Sequence, residues 1–185
     1  MSTKQLEKSA TEIQIPKDVK VNLKGNMLEI KGPLGKVYKN FKKIPVFIEI
    51  NDDKIFLKKT GERKKYRAIL NTSKSLIQTL CMGVVDGFTI KMKIVYSHFP
   101  ITVKAEEKRV LIENFQGERA PRICMIRGNT KVTVNGDDVI LTGPVLTDVS
   151  QTAANIQLKS KVKNKDHRVF LDGIYRYSKT KGIEK

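Results

Sequence analysis

The chain has 185 residues, with 36 Lys and Arg against 19 Asp and Glu, giving a formal net charge of +17. Its longest apolar run, Leu80–Val85, falls far short of the ~20 residues of a membrane-spanning helix, and the opening MSTKQLEKSATE has no apolar stretch of the secretory kind, so neither a membrane protein nor a secreted one is expected. A charge surplus this large repels itself in a free globular protein and finds its use on a polyanion, nucleic acid first and an anionic membrane surface second, because each phosphate neutralised releases condensed counterions.

Most of the chain reads as short strands with period-two alternation. Val19, Val21 and Leu23 alternate with Lys20, Asn22 and Lys24; Gly25-Asn26 supplies a turn, and Met27, Leu28 and Ile30 return to Gly32-Pro33. Further strands are predicted over Lys36–Phe41, Val46–Ile50 and Ile55–Lys59, with Asn51, Asp52 and Asp53 as a turn. A helix follows from about Glu62 to Met82, its stripe Tyr66, Ile69/Leu70, Ser73, Leu76/Ile77 and Leu80 recurring every three or four residues. Arg63, Lys64, Lys65 and Arg67 crowd its start, where positive charge opposes the helix dipole; they form either a solvated face or an anion-facing patch.

After Gly83 and Gly87 the strands resume. Phe88, Ile90, Met92, Ile94 and Tyr96 mark one face of a strand; Ile101–Ala105, Val110–Phe115, Arg122–Arg127, Lys131–Asn135 and Val139–Thr142 follow. A second helix is predicted from Asp148 to about Lys161, with Asp148 as cap and Gln151 in the reciprocal capping position. Residues 21–33 (VNLKGNMLEIKGP) align without gaps on residues 132–144 (VTVNGDDVILTGP), and VVDGF (84–88) resembles FLDGI (170–174). The expected fold is therefore α+β, a tandem duplication of a small domain with an antiparallel sheet and one packed helix, over residues 1–83 and 84–185.

Catalytic and metal-binding patterns are scarce. Cys81 and Cys124 form no CxxC, and with only His98 and His167 they assemble no zinc site. Both cysteines sit in apolar stretches and read as buried thiols of a reduced, cytosolic protein. His98, in YSHFP, has no carboxylate nearby in sequence and reads as a packed or surface histidine. There is no phosphate-binding glycine loop, GxSxG or HExxH. No enzyme, metal or cofactor is expected.

The basic elements are more telling, and both halves carry them: 18 basic against 8 acidic residues over 1–83, and 18 against 11 over 84–185. In KSKVKNKDHR (159–168), Lys159, Lys161, Lys163 and Lys165 fall at every second position. An extended chain would point them to one side at ~6–7 Å intervals, like the teeth of a comb facing a phosphate backbone. Asn164 can bond a phosphate oxygen or 2′-hydroxyl and His167 can stack, and Arg168 closes the run. This arm then meets the tail IYRYSKTK (174–181), where Tyr175 and Tyr177 interleave with Arg176, Lys179 and Lys181, a pattern suited to unpaired bases. Arg119, Arg122 and Arg127 flank a loop-to-strand passage, where they either hold phosphates or pair with Glu113 and Glu118.

Taken together, GFTIKMKI (87–94), VYSHFPITV (95–103), IENFQGER (112–119) and VKNKDHRVFLDGIY (162–175) resemble the universal large-subunit ribosomal protein family numbered six in bacteria and nine in eukaryotes. The resemblance runs from about Ile13 to Lys179, and VKNKD…FLDGIY is similar to the eukaryotic form. It implies a duplicated α+β fold and a structural rRNA-binding protein of the cytosolic large (60S) subunit, passing through the nucleolus during assembly. It implies a position beside the sarcin-ricin loop and the stalk base, with neighbouring ribosomal proteins and translational GTPases as further partners. It implies that Lys161, Lys163, Lys165 and Arg168 lie in the main rRNA contact. Where eukaryotic relatives carry an Arg-Pro-Gly turn, this chain has Arg127-Gly128-Asn129. Two alternatives are an RNA-modifying or RNA-cleaving enzyme, for which no catalytic cluster is visible, and a module that recruits translation factors, which is compatible with a scaffold.

Overall fold

The computed structural model describes residues 10–51, 54–166 and 168–183. These fall into two compact units that part between Val85 and Asp86. Each unit is α+β, with antiparallel sheets and one helix.

The first unit comprises β1 (Ala10–Gln14), β2 (Lys20–Lys24), β3 (Met27–Gly32), β4 (Gly35–Asn40), β5 (Val46–Asn51), β6 (Lys54–Lys59) and α1 (Lys64–Val85). Its strands form two three-stranded sheets, ordered β2-β3-β4 and β1-β6-β5. Alternation selects what is buried: Leu28 and Ile30 of β3 and Ile55 and Leu57 of β6 are shut off entirely from solvent. Against them α1 buries Leu70, Ser73, Ile77, Leu80, Cys81 and Val84, the expected stripe carried one turn further. The helix runs through Gly83 to Val85 rather than stopping at Met82. A helical glycine costs up to about 1 kcal/mol, and here the last turn is held from outside: Val84 packs where a Cβ on Gly32 would stand 2.7 Å away, and the Leu34 N–H donates to the Val84 carbonyl at 3.0 Å. Asp52 and Asp53 of the expected turn lie outside the described residues.

The second unit comprises β7 (Phe88–Val95), β8 (Thr102–Ala105), β9 (Arg109–Glu113), a 3-10 turn (Phe115–Gly117), β10 (Arg122–Met125), β11 (Lys131–Asn135), β12 (Asp138–Gly143), α2 (Leu146–Lys159) and β13 (Gly173–Lys181). A four-stranded sheet, β11-β12-β7-β13, and a three-stranded one, β10-β9-β8, close over a core that includes Ile90, Met92, Val110, Ile112, Phe115, Leu141, Val149, Ile156 and Ile174. Tyr96 falls beyond β7 and is exposed.

The aligned hairpins are the same object in both units. Lys24 pairs with Met27 around Gly25-Asn26, and Asn135 with Asp138 around Gly136-Asp137. Gly25 and Gly136 both take φ +60°. A positive φ at the first central residue alone is the type II′ geometry that suits twisted strands, and it asks for glycine. The second glycine of each repeat sits tight on a helix valine, Gly32 on Val84 and Gly143 on Val149.

Two expectations in the second unit are corrected. First, α2 begins at Leu146, not Asp148. Its flanking residue Val145 is extended and makes no side-chain cap, while the Val145 carbonyl accepts from the Asp148 and Val149 N–H groups, both at 3.1 Å. Asp148 sits inside the first turn, where its charge suits the dipole, and the Gln151 carboxamide donates forward to Asn155 at 2.9 Å instead of reaching back. Second, residues 174–181 are not a tail but most of β13, paired with β7 from Gly173↔Val95 to Lys181↔Phe88, with a bulge between Arg176 and Ser178. Backbone pairing decided this where side-chain hydropathy could not. Among the described residues, no helix is long and apolar enough to cross a membrane.

Candidate nucleic-acid interface

The basic run leaves α2 and rejoins the sheet at β13, and its first residues are firmly rooted. Ser160 is buried; its hydroxyl donates to the Ile156 carbonyl at 3.0 Å and accepts the Ile174 N–H at 3.1 Å, tying the helix end to β13. Val162 inserts into the core at 4% exposure. Lys161 and Lys163, on either side of it, are exposed and form no ion pair among the described residues. Alternation is thus real over three residues: one inward valine orients two outward ammonium groups.

The comb goes no further. Lys159 is the last residue of α2, and Asn164 takes φ +57°, a left-handed conformation that asparagine tolerates better than most residues. Beyond it, Lys165 stands 5.5 Å over the Phe170 ring. Asp166 accepts the Arg168 backbone N–H at 2.9 Å and its guanidinium at 3.0 and 3.2 Å, while the Asp166 carbonyl accepts from Val169 and Phe170. The segment therefore folds back in a turn. Arg168 projects from it at 90% side-chain exposure, and His167 lies outside the described residues.

Arg122 is engaged by partners within the protein. Its fork grips Glu118, Nε–Oε2 at 2.7 Å and Nη2–Oε1 at 2.5 Å. Nη1 donates to the carbonyls of Lys159 at 2.6 Å and Lys161 at 3.4 Å, and the guanidinium lies 4.1 Å over the Phe115 ring. Only 20% of the side chain is exposed. One arginine therefore satisfies carbonyls at the end of α2 and braces the root of the basic run. Arg122, with help from Lys163, also holds the Glu118 carboxyl below the usual range, which places the Lys163 charge beside this cluster. Glu113 pairs instead with Lys104, at 2.8 Å.

The remaining candidates are dispersed. Arg119 is exposed in the loop before β10. Arg127 belongs to a tight turn closed by Thr130 N–H to its carbonyl at 3.3 Å; its own N–H is held by Thr152 Oγ1 at 3.0 Å, and Gly128 abuts Asp148. That turn sits at the opposite end of α2 from Lys159, about 16 Å along the axis. On β13 the aromatics and cations separate. By register Arg176 and Lys179 share one face, opposite Met92 and Ile90, and Tyr175 takes the other, opposite Lys93. Tyr175 folds back to donate its hydroxyl to the Leu171 carbonyl at 3.1 Å. Even so, Tyr175 and Lys161 line one cavity of ≈ 320 Å³ with Gln157, Leu158, Ser160, Val162 and Ile174.

Sequence reasoning misses the residues that fix this surface. Ser160 and Val162 carry only a weak signal, a small polar and an apolar residue inside a lysine run. His98 has no carboxylate near it in sequence, yet the fold brings Asp172, 74 positions away, to 3.4 Å from Nδ1, while Asp172 also accepts the Ser97 N–H at 2.5 Å. Cys81 and Cys124 are free and buried. Burial raises the Cys81 thiol to about 11. It raises Cys124 as well, against the pull of nearby Lys159. Among the described residues, no group of three or more His, Cys, Asp or Glu is placed to hold a metal.

Residues 99–173 match the family Ribosomal protein L6, a span that includes the whole basic run and the arginine that braces it. The chain is 43% identical over 166 residues to the large ribosomal subunit protein uL6 of Methanosarcina mazei, covering 90% of this chain and 94% of that one. It is 43% identical over 168 residues to uL6 of Methanobrevibacter smithii (91% and 94%), and 45% identical over 170 residues to uL6 of Thermoplasma volcanium (92% and 96%). Proteins of this kind are structural and not enzymes. A duplicated α+β fold, a basic segment rooted on its second helix, and likeness along almost the entire length lead to one assignment: the chain belongs to the ribosomal protein L6 family.

Proposed function

We propose that the chain is a structural constituent of the large ribosomal subunit that grips rRNA through charge and shape. The observation that carries this reading is the rooted pair Lys161 and Lys163, two ammonium groups held outward by a buried valine and by the Arg122 brace. Pre-ordering spares part of the entropy that a free lysine tail would give up on binding. Backbone recognition is favoured over base-edge reading because an A-form helix hides its edges in a deep major groove. Lys165, Arg168, Arg176, Lys179, Arg119 and Arg127 extend the basic surface, with Asn164, His167 and Tyr175 as polar and aromatic contacts; Arg122 positions rather than touches. We place the protein beside the sarcin-ricin loop and stalk base of the cytosolic 60S subunit, after nucleolar assembly.

Replacing Lys161 and Lys163 with Ala tests this on large-subunit rRNA fragments. The slope of log affinity against log salt is expected to fall by about 0.7–0.9 for each phosphate that the variant no longer neutralises. An unchanged slope removes these lysines from the interface.

The first unit offers a different kind of surface. A groove of ≈ 370 Å³ runs between the Lys43–Pro45 loop and the Ala68–Leu76 stretch of α1, lined by Ile44, Ile69 and Leu76. Apolar walls suit protein better than phosphate, which favours neighbouring stalk-base proteins or translational GTPases as contacts there. Cross-linking in intact subunits tests this, by whether residues 36–43 and 63–67 join to protein, to RNA or to nothing.

A further inference from the structure

Three motifs distant in sequence converge on a second small cavity of ≈ 170 Å³, lined by His98, Phe99, Gln116, Lys165, Phe170 and Asp172. We propose that it receives one unstacked pyrimidine base of the bound RNA. The inference rests on the rRNA-binding reading and adds a site of base insertion to it.

Size comes first. A cavity of about 150 Å³ holds a benzene-sized ring, so this one suits a single six-membered ring better than a fused pair. The walls supply what an extruded base needs. Phe170 and His98 are stacked with centroids 5.0 Å apart and planes 25° from parallel, giving a rigid platform, and Phe99 presents a second, half-exposed ring. Stacking on aromatic faces is the usual way a protein holds an unpaired base.

The polar groups are equally specific. Gln116 Nε2 is buried and has no hydrogen-bond partner among the described residues, a costly condition for an amide. Its carboxamide offers a donor and an acceptor, the complement of a pyrimidine's Watson–Crick edge. The turn that carries it is held in an unusual shape: Asn114 and Gln116 both take left-handed conformations, φ +56° and +52°, with the Asn114 amide donating to the Pro100 carbonyl at 3.0 Å. Strain of this kind persists where the surroundings impose it, often at ligand sites. Asp172, 4% exposed, sits in the lining, so a phosphate is disfavoured inside and a neutral ring is not. Lys165 is then the group available to the flanking phosphate.

The test uses the full chain bound to large-subunit rRNA transcribed with 4-thiouridine, 5-iodocytidine or 6-thioguanosine in separate reactions, followed by irradiation and peptide mapping. Pyrimidine cross-links are expected at residues 98–99 or 165–172. Gln116→Leu should reduce them about tenfold, the worth of a base-edge hydrogen bond or two, and weaken overall affinity by no more than that factor, with the salt slope unchanged because no phosphate contact is lost. RNA binding with no cross-link there, or cross-links from 6-thioguanosine alone, overturns the pocket and leaves the wider reading standing. No RNA binding at all overturns both.

Discussion

The two units share a glycine hairpin and diverge at the helix. In the first, α1 spans 22 residues and its end is closed by the unit's own backbone, through Leu34 and Gly32 on Val84. In the second, α2 spans 14 and its end is closed by a side chain, Arg122, after which the described residues between Ser160 and Asp172 belong to no strand or helix. The same hairpin-on-helix core thus serves two purposes. Sealing the helix with backbone completes a scaffold, whereas sealing it with an arginine leaves the following segment available and orders it.

The sharpest way to break this comparison is at the paired glycines. Gly32→Ala places a Cβ 2.8 Å from the Val84 carbonyl oxygen as well as 2.7 Å from its Cγ2. Gly143→Ala meets only the Val149 Cγ2 closely, at 2.9 Å. A side chain can rotate away and a helix backbone cannot, so we expect a loss of about 3 kcal/mol for the first and about 1 for the second by urea denaturation. Equal losses would mean that the two helix contacts are equivalent after all.

The two buried cysteines come next. The folded Cys81 thiol, raised to about 11, stays neutral where an unfolded thiol ionises, so its contribution is complete below the unfolded pKa near 8.5–9 and is lost as pH climbs toward 11. That amounts to about 3 kcal/mol, read as the difference in alkaline stability slope between wild type and Cys81→Ala. The same comparison with Cys124→Ala should give a smaller difference, because Lys159 opposes the effect of burial there.

The brace is weighed third. Arg122→Ala is expected to cost about 1–2 kcal/mol and to weaken RNA binding without lowering the salt slope by a full phosphate's worth, since the ammonium groups remain but their root is loosened. A full unit of slope would show that Arg122 touches phosphate. The smallest effect belongs to Glu118. Its carboxyl is held low by Arg122, so its support is present above the ordinary carboxylate range and lost on acidification. Glu118→Gln should be less stable than wild type at neutral pH and indistinguishable from it in acid.

Much of this architecture is readable from residue patterns. Phe88, Ile90, Met92 and Ile94 declare β7 by alternation, and Leu70, Ser73, Ile77 and Leu80 declare α1 by its period, because burial acts locally on each side chain. What escapes depends on partners far along the chain. Nothing near Arg122 announces that it will meet the Lys159 carbonyl 37 positions on, and the even spacing of four lysines conceals a helix end at one tooth and a left-handed turn before another. Asp148 looks like a cap because the capping pattern is local, yet the Val145 carbonyl has already opened the helix. The polar YRYSKTK gives no hydropathy cue to a strand, since among the described residues β13 pairs on one side only.

That open flank has a consequence for the chain before it is incorporated into any particle. Among the described residues β13 ends its sheet, and an edge strand is where a foreign strand would template. The irregularity after Arg176 and the row of Lys179 and Lys181 interrupt and charge that border, the two devices by which sheet margins resist self-association. The cations of this border, proposed above as part of the basic surface, thereby also keep the newly made polypeptide from pairing edge to edge.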